Sequence, residues 1–234
     1  MKVTALITAR GNNSLKNKHL IKINGEQIIR YPLKKINQIN QIENKVISSD
    51  DNKILEIGKI EGFKTIKRPE NISKPDSLHI DAINHSLHHM KNNLGIETDI
   101  LIVLMGNSVT IRKKWLEDSI NIIKNNQQVS AVVPVFKNND HHPFRAKFID
   151  QNGFLKSYFD HSEKEVSTNR QDLPPNYFIC HNFWTIRLVN SKIIENGDAP
   201  WKFMGKNVHP IVVDKCFDIH DIEDIKEAEK WLMS

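Results

Sequence analysis

The sequence predicts an α/β fold: a mostly parallel sheet with helices on both faces. Two observations lead there. Strand-like and helix-like runs alternate up to residue 136, and the strand-like runs are continuously apolar, as strands buried on both sides must be. A third observation bears on function, because polar residues collect just beyond the strand-like runs, where sheets of this kind bind ligands.

The first predicted strand, 3–8, is Val-Thr-Ala-Leu-Ile-Thr, and it ends in Ala9-Arg10-Gly11-Asn12-Asn13-Ser14 with Lys16 and Lys18 following. Gly and Asn tolerate unusual φ/ψ, and cations neutralise phosphate oxygens, so this loop suits a polyphosphate and makes a nucleotide the first ligand to consider. The same residues also read as a plain structural turn. A helix is predicted over 26–38, a strand at 45–48 and a helix at 52–61. A strand at 63–66 and a helix at 78–92 come next, followed by a strand at 100–104, a helix at 112–125 and a strand at 129–136. Ser49 or Asp50 stands where the second of these helices needs a cap, and Asp76 where the third does.

After residue 136 the alternation stops. Two short apolar runs flank Gln151-Asn152-Gly153, which predicts a hairpin, and residues 160–176 have no apolar periodicity. The segment around 140–177 is therefore expected to leave a single 1–234 domain as an excursion, one that reaches a second subunit or is simply mobile. Strand character returns at 177–187 and 207–213. A closing helix over 221–233 carries Ile222, Ile225, Ala228 and Leu232 near helical spacing.

The 234 residues carry a net charge of +5, but Lys and Arg are spread along the chain without a dense basic block, so an anionic small molecule accounts for the excess and nucleic acid is not expected. No apolar run approaches the ~18–20 residues that span a bilayer, and the N-terminus lacks a signal peptide pattern, which makes a cytoplasmic location the expectation. Cys180 and Cys216 are read as thiols.

In order and spacing, these pieces resemble the cytidylyltransferases that activate acidic sugars, the CMP-sialic acid (acylneuraminate) synthetases and, more distantly, the CMP-Kdo synthetases. The resemblance is carried by Ala9-Arg10-Gly11 with Ser14 and Lys18; by Ser48-Ser49-Asp50-Asp51; and by Arg68-Pro69 followed by Asp76, Asp81, His85 and Leu87. Ser130 to Val135, His142-Pro143, Arg170-Gln171 and Asp218 followed by Glu223-Asp224 complete the series. It implies a Rossmann-like nucleotide-diphospho-sugar transferase fold with a mixed sheet. It also implies attack by an acceptor oxygen on the α-phosphorus of CTP, with pyrophosphate released and Mg²⁺ (or Mn²⁺) as electrophile, and a homodimer serving surface glycan synthesis.

By the same resemblance Arg10, Lys18 and Asp218 would be catalytic, and Ala9, Arg10, Gly11, Asn12, Ser14, Lys18, Arg68, Asp76, Ser77 and Asn107 would bind the nucleotide. Gly106, Arg145, Arg170, Gln171, His181 and Asn182 would face an anionic acceptor, because Arg suits a carboxylate. For Arg145 and Arg170 a surface ion pair is the competing reading. The opening loop is about one residue shorter than the family's common form. The usual Asn-Gly before the late strand is Cys180-His181, and the terminal Asp-x-Asp metal motif is Asp218-Ile219-His220. Imidazole is a poor hard-oxygen substitute, so Asp218 would hold the metal, alone or with His220 or Asp221. These departures keep two alternatives open: a cytidylyltransferase for a phosphonate or polyol phosphate, and a catalytically silent nucleotide-binding homologue.

Overall fold

The computed structural model describes residues 1–11, 15–160, 166–214 and 219–233. Among them the chain forms β1 (Val3–Thr8), β2 (Lys22–Ile23), β3 (Glu26–Gln27), α1 (Arg30–Asn37), β4 (Asn44–Ser49), α2 (Asn52–Ile60), β5 (Lys64–Lys67), α3 (His79–Asn93) and β6 (Ile100–Met105). Then follow α4 (Lys113–Asn125), β7 (Ala131–Lys137), β8 (Lys147–Ile149), β9 (Leu155–Ser157), β10 (Tyr177–Ile179), β11 (Phe183–Arg187), β12 (Val208–Val212) and α5 (Ile222–Leu232).

Eight strands make one sheet. Its centre runs β11–β6–β1–β4–β5, with β7 beyond β11 and β12 beyond β7. β1 is parallel to β4 and β6, β5 to β4, and β12 to β7, whereas β10 and β11 run antiparallel. The strand period of two divides the core. Val3, Ala5 and Ile7 pack with Leu33 and Ile36 of α1, Ile54 of α2 and Leu116 and Ile120 of α4, while Leu6, Val46 and Val103 pack with Ile83, Leu87 and Met90 of α3. Helices thus cover both faces, and the parallel register brings Thr8, Ser49, Lys67 and Met105, the last residues of β1, β4, β5 and β6, to one edge.

Several expectations need correction. The helix predicted from residue 26 starts at Arg30, because Glu26–Gln27 pairs with Lys22–Ile23. Asn24 and Gly25 both have positive φ (48° and 81°), the requirement of a tight hairpin turn. The strand predicted over 177–187 is split. Six residue steps separate Ile179 from Thr185 against three between their partners Val135 and Val132, so three residues around Cys180-His181-Asn182 bulge from the edge of β7. The Cys180 N–H still reaches the Pro134 carbonyl at 2.8 Å. Cys180 is disulfide-bonded instead of the thiol read from sequence, since separation along the chain says nothing about proximity in the fold. The chain's other cysteine, Cys216, lies outside the described residues.

Helix caps differ too. Asp51 caps α2 by accepting from the Lys53 N–H, whereas the residue preceding α3 is Leu78, which supplies no side-chain cap. Gln151-Asn152-Gly153 does join a hairpin, β8–β9, within the excursion between β7 and β10.

Candidate functional site

Beyond the strand ends lies a cavity of about 260 Å³ lined by two kinds of residue. Arg10, Lys18, His19, Arg68 and Asn107 bring charge and hydrogen-bonding groups, and Ile72, Pro75, Leu78, Ala82 and Met105 supply an apolar wall. Thr8, Ser77 and His79 complete it.

Each basic residue is fixed by backbone. Arg68 follows β5, and its N–H donates to the Ser49 carbonyl at 2.8 Å; its side chain is buried and donates through Nη2 to the Ser48 carbonyl at 3.0 Å. Burial lowers its guanidinium to about 10, with Asp50 opposing and Arg10 adding to the shift, so it stays charged at neutral pH. Lys18, also buried, donates to the Ile219 carbonyl at 2.7 Å, and Asn107 Nδ2 donates to the same oxygen at 2.9 Å. Two side chains from different loops thereby anchor the segment next to Asp218. Arg10 donates to the Lys74 carbonyl, linking the end of β1 to the segment before α3.

The neighbouring small residues are explained by packing. The Ala9 N–H donates to the Ser48 carbonyl (3.0 Å), and the Gly106 N–H to the Thr8 carbonyl (2.8 Å). A Cβ on Gly106 would fall 2.7 Å from Ala9 Cβ and 2.9 Å from Ile29 Cδ1, so glycine there permits close approach and does not line the cavity. Gly11 gives its N–H to Asp50 Oδ1 (2.8 Å), which commits that donor to the protein instead of a phosphate. Asn12, Ser14 and Asp218 lie outside the described residues.

Sequence reasoning passed over two histidines that line the cavity. His19 is buried, and among the described residues its Nδ1 has no hydrogen-bond partner; burial, then the adjacent Lys18 ammonium, pushes it down to about 4. His79 Nε2 lies 2.7 Å from Thr8 Oγ1, and its ring sits 5.2 Å from that of Trp184. Burial, followed by the charges of Arg68 and His181, pushes His79 to about 4 as well. Both are neutral imidazoles at neutral pH. A lone histidine carries no motif, so only its placement marks it.

The expected acceptor residues are scattered. Asn182 is buried, its carbonyl accepting from Ser108 Oγ (2.8 Å) and its Nδ2 donating to Thr110 Oγ1 (3.1 Å), which ties the bulge to the loop after β6. His181 packs on Trp201 (5.0 Å) and edge-on to Trp184 (6.0 Å). Arg145, Arg170 and Gln171 belong to the excursion and do not line the cavity; Arg170 pairs with Asp140 there, the surface ion pair of the competing reading. Asp76 is exposed and outside the lining, and Ser77 Oγ accepts from the Lys74 N–H. Asp221 caps α5 by accepting from the Asp224 N–H, and the His220 N–H donates to Asp224, so both shape the helix start. Among the described residues no three His, Cys, Asp or Glu side chains cluster to hold a metal.

Residues 4–193 match the family model described as cytidylyltransferase. No curated protein gives a significant match. Among solved structures the fold is similar to a CMP:2-keto-3-deoxy-manno-octonic acid synthetase complexed with CTP, with a TM-score of 0.70, 16% identity, and coverage of 100% of this chain and 99% of that one. It is also similar to 4-diphosphocytidyl-2C-methyl-D-erythritol synthase from Anaerococcus prevotii, with a TM-score of 0.66, 14% identity, and coverage of 100% and 96%.

Proposed function

Because the chain belongs to the cytidylyltransferase family, we propose that this nucleotidyltransferase joins CTP to an acidic sugar, a nonulosonic or other 3-deoxy-2-keto acid, for surface glycan assembly. An acceptor hydroxyl oxygen forms a bond to the α-phosphorus, the bond from that phosphorus to the bridging oxygen breaks, pyrophosphate leaves with the electron pair, and the hydroxyl proton passes to water. The observation that carries the reading is the set of three cations, Arg10, Lys18 and Arg68, around one cavity at the ends of parallel strands. A triphosphate and an acidic acceptor repel each other, and fixed cations in a low-dielectric cleft offset that repulsion before the reaction begins. The apolar wall beside them suits a base.

Mg²⁺ belongs to this proposal through Asp218 alone. The described residues do not supply a hard-oxygen set, so no step is assigned to the metal. Asp218→Asn is expected to abolish turnover with the fold intact, checked by pyrophosphate release against Mg²⁺ and Mn²⁺ concentration alongside circular dichroism. Full activity of this variant would remove Asp218 from the site.

A homodimer is part of the same reading and is supported by the excursion. Ile149, Phe154, Leu155 and Tyr158 of the β8–β9 hairpin are each at least 64% exposed, an apolar patch on an element too small to bury it alone. A cytoplasmic location, where CTP is supplied, completes the reading; among the described residues no helix is long and apolar enough to cross a membrane.

The deciding experiment measures pyrophosphate release from CTP with a panel of 3-deoxy-2-keto acids, phosphonates and polyol phosphates. Release with a keto acid is expected. Release only with a phosphonate or polyol phosphate would replace the acceptor class, and CTP binding without release from any acceptor would point to a silent homologue.

A further inference from the structure

We propose that Asn107 is a positioning residue: it holds the Ile219 carbonyl at the cavity so that Lys18 can turn to the ligand's phosphates. The inference rests on the cytidylyl-transfer reading above and divides the work between two side chains that meet at one oxygen.

That oxygen is buried and has two donors. Asn107 Nδ2 reaches the Ile219 carbonyl at 2.9 Å and Lys18 Nζ reaches it at 2.7 Å, and the three residues are at most 7% exposed. A carbonyl oxygen can accept two hydrogen bonds, and leaving a buried one with none is costly, but a single donor avoids that cost. The carbonyl can therefore release one of the two.

The frames of the two donors decide which one. Asn107 stands on the loop after β6, which is tied down on either side of it. The Gly106 N–H donates to the Thr8 carbonyl (2.8 Å), Ser108 Oγ donates to the Asn182 carbonyl (2.8 Å), and Thr110 Oγ1 accepts from Asn182 Nδ2 (3.1 Å). A short amide on such a loop is held in place before any ligand arrives. Lys18 instead carries three protons on a flexible four-carbon stem, and it lines the same cavity as Arg10 and Arg68. A neutral amide can replace an ammonium at a carbonyl, but it brings no charge to a phosphate. When a polyphosphate enters, its oxygens take the carbonyl's place as partner of the ammonium, and Asn107 keeps the carbonyl satisfied.

The held oxygen fixes the start of α5. Ile219 is packed with Ile23, Ile28, Val109 and Ala228, and the next residue's N–H, that of His220, donates to Asp224 in the first turn of the helix. Without Asn107, Lys18 would have to serve this segment and the phosphates with one ammonium.

The test is a double-mutant cycle. CTP is titrated calorimetrically into the full chain in magnesium buffer, and hydrogen exchange over residues 219–224 is measured on the same proteins without nucleotide. Asn107→Leu keeps the bulk and removes the donor, and it should weaken CTP by about ten-fold or more. In a Lys18→Ala background the same substitution should change CTP affinity by less than about three-fold, because no ammonium remains to be shared. An equal loss in both backgrounds, the mark of a direct contact between Asn107 and the nucleotide, overturns the proposal, as does unchanged affinity in Asn107→Leu. Exchange over 219–224 should stay within about three-fold of wild type in each single variant and rise about ten-fold or more in the double variant. Faster exchange in Lys18→Ala alone, or unchanged exchange in the double variant, overturns the proposal. The Lys18→Ala exchange also decides the matter if Asn107→Leu does not fold. A wild-type chain that binds no CTP overturns the cytidylyl-transfer reading instead, and the exchange measurements then show separately whether Asn107 holds the carbonyl.

Discussion

Two groups of basic side chains live in opposite surroundings. Lys18 and Arg68 are 7% and 6% exposed, and each is held by a backbone carbonyl, Ile219 and Ser48 respectively. Arg145 and Arg170 stand on the excursion, where Arg170 is held by Asp140 and both members of that pair are more than half exposed. A buried cation must keep its partners, because an unpaired one is costly to desolvate, so its position is fixed before any ligand arrives. An exposed ion pair contributes little, about 0–1 kcal/mol, and is readily exchanged for another partner. The first group is therefore suited to a ligand charge present in every catalytic cycle. The second suits a contact formed only on assembly or on arrival of an acceptor.

The largest effect is expected at Lys18. Lys18→Ala removes a cation from the cavity and one of two donors to the Ile219 carbonyl, so kcat/KM should fall on the order of 10³-fold. Arg10→Ala, which removes a second cation from the cavity, should cost roughly 10²-fold. Pyrophosphate-release kinetics check both, and unchanged CTP binding in the two variants would sink the assignment of this cavity to the triphosphate.

The buried region should also be the acid-sensitive one. His19 and His79 titrate near 4 in the folded chain against an ordinary 6.5, so the unfolded chain binds more protons between these values. Stability contributed by the neutral rings is complete above pH 6.5 and is lost as pH falls toward 4, by about 3 kcal/mol for each ring. Urea unfolding between pH 7 and 4 should show the loss, and His19→Asn should reduce its slope.

Smaller effects belong to the excursion. In the proposed dimer, Ile149→Asp with Leu155→Asp should leave only monomer by light scattering, with the monomer still folded. A wild-type chain that is already monomeric would contradict the role given to the hairpin. Least affected is Arg170→Ala, expected to hold CTP affinity within about three-fold of wild type and to show any defect in the acceptor KM.

Much of the fold is legible in the chain because its strands are buried on both faces. Val3–Thr8 carries only apolar residues and threonine, and Ile100–Met105 is apolar throughout, the short runs that central strands present. The β2–β3 hairpin was masked by Ile28 and Ile29, which extend the helical pattern backward past an Asn-Gly turn. In the site, Arg10, Lys18 and Arg68 could be read because they follow strand ends. Lys18 finds its acceptor 201 residues away, which no local pattern encodes. His19 and His79 gave no signal for the same reason: one imidazole is significant only through its neighbours, and Thr8, Trp184 and Gly106 come from separate elements.

The three residues left over between β10 and β11 have a consequence for how such an enzyme diversifies. Cys180, His181 and Asn182 stand outside the ladder, so the pairing of Phe183–Arg187 with β6 does not depend on matching their number or chemistry to a partner strand. A residue gained or lost in this bulge would change the loop and leave the strands beneath the cavity in register, because the bulge carries no strand pair of its own.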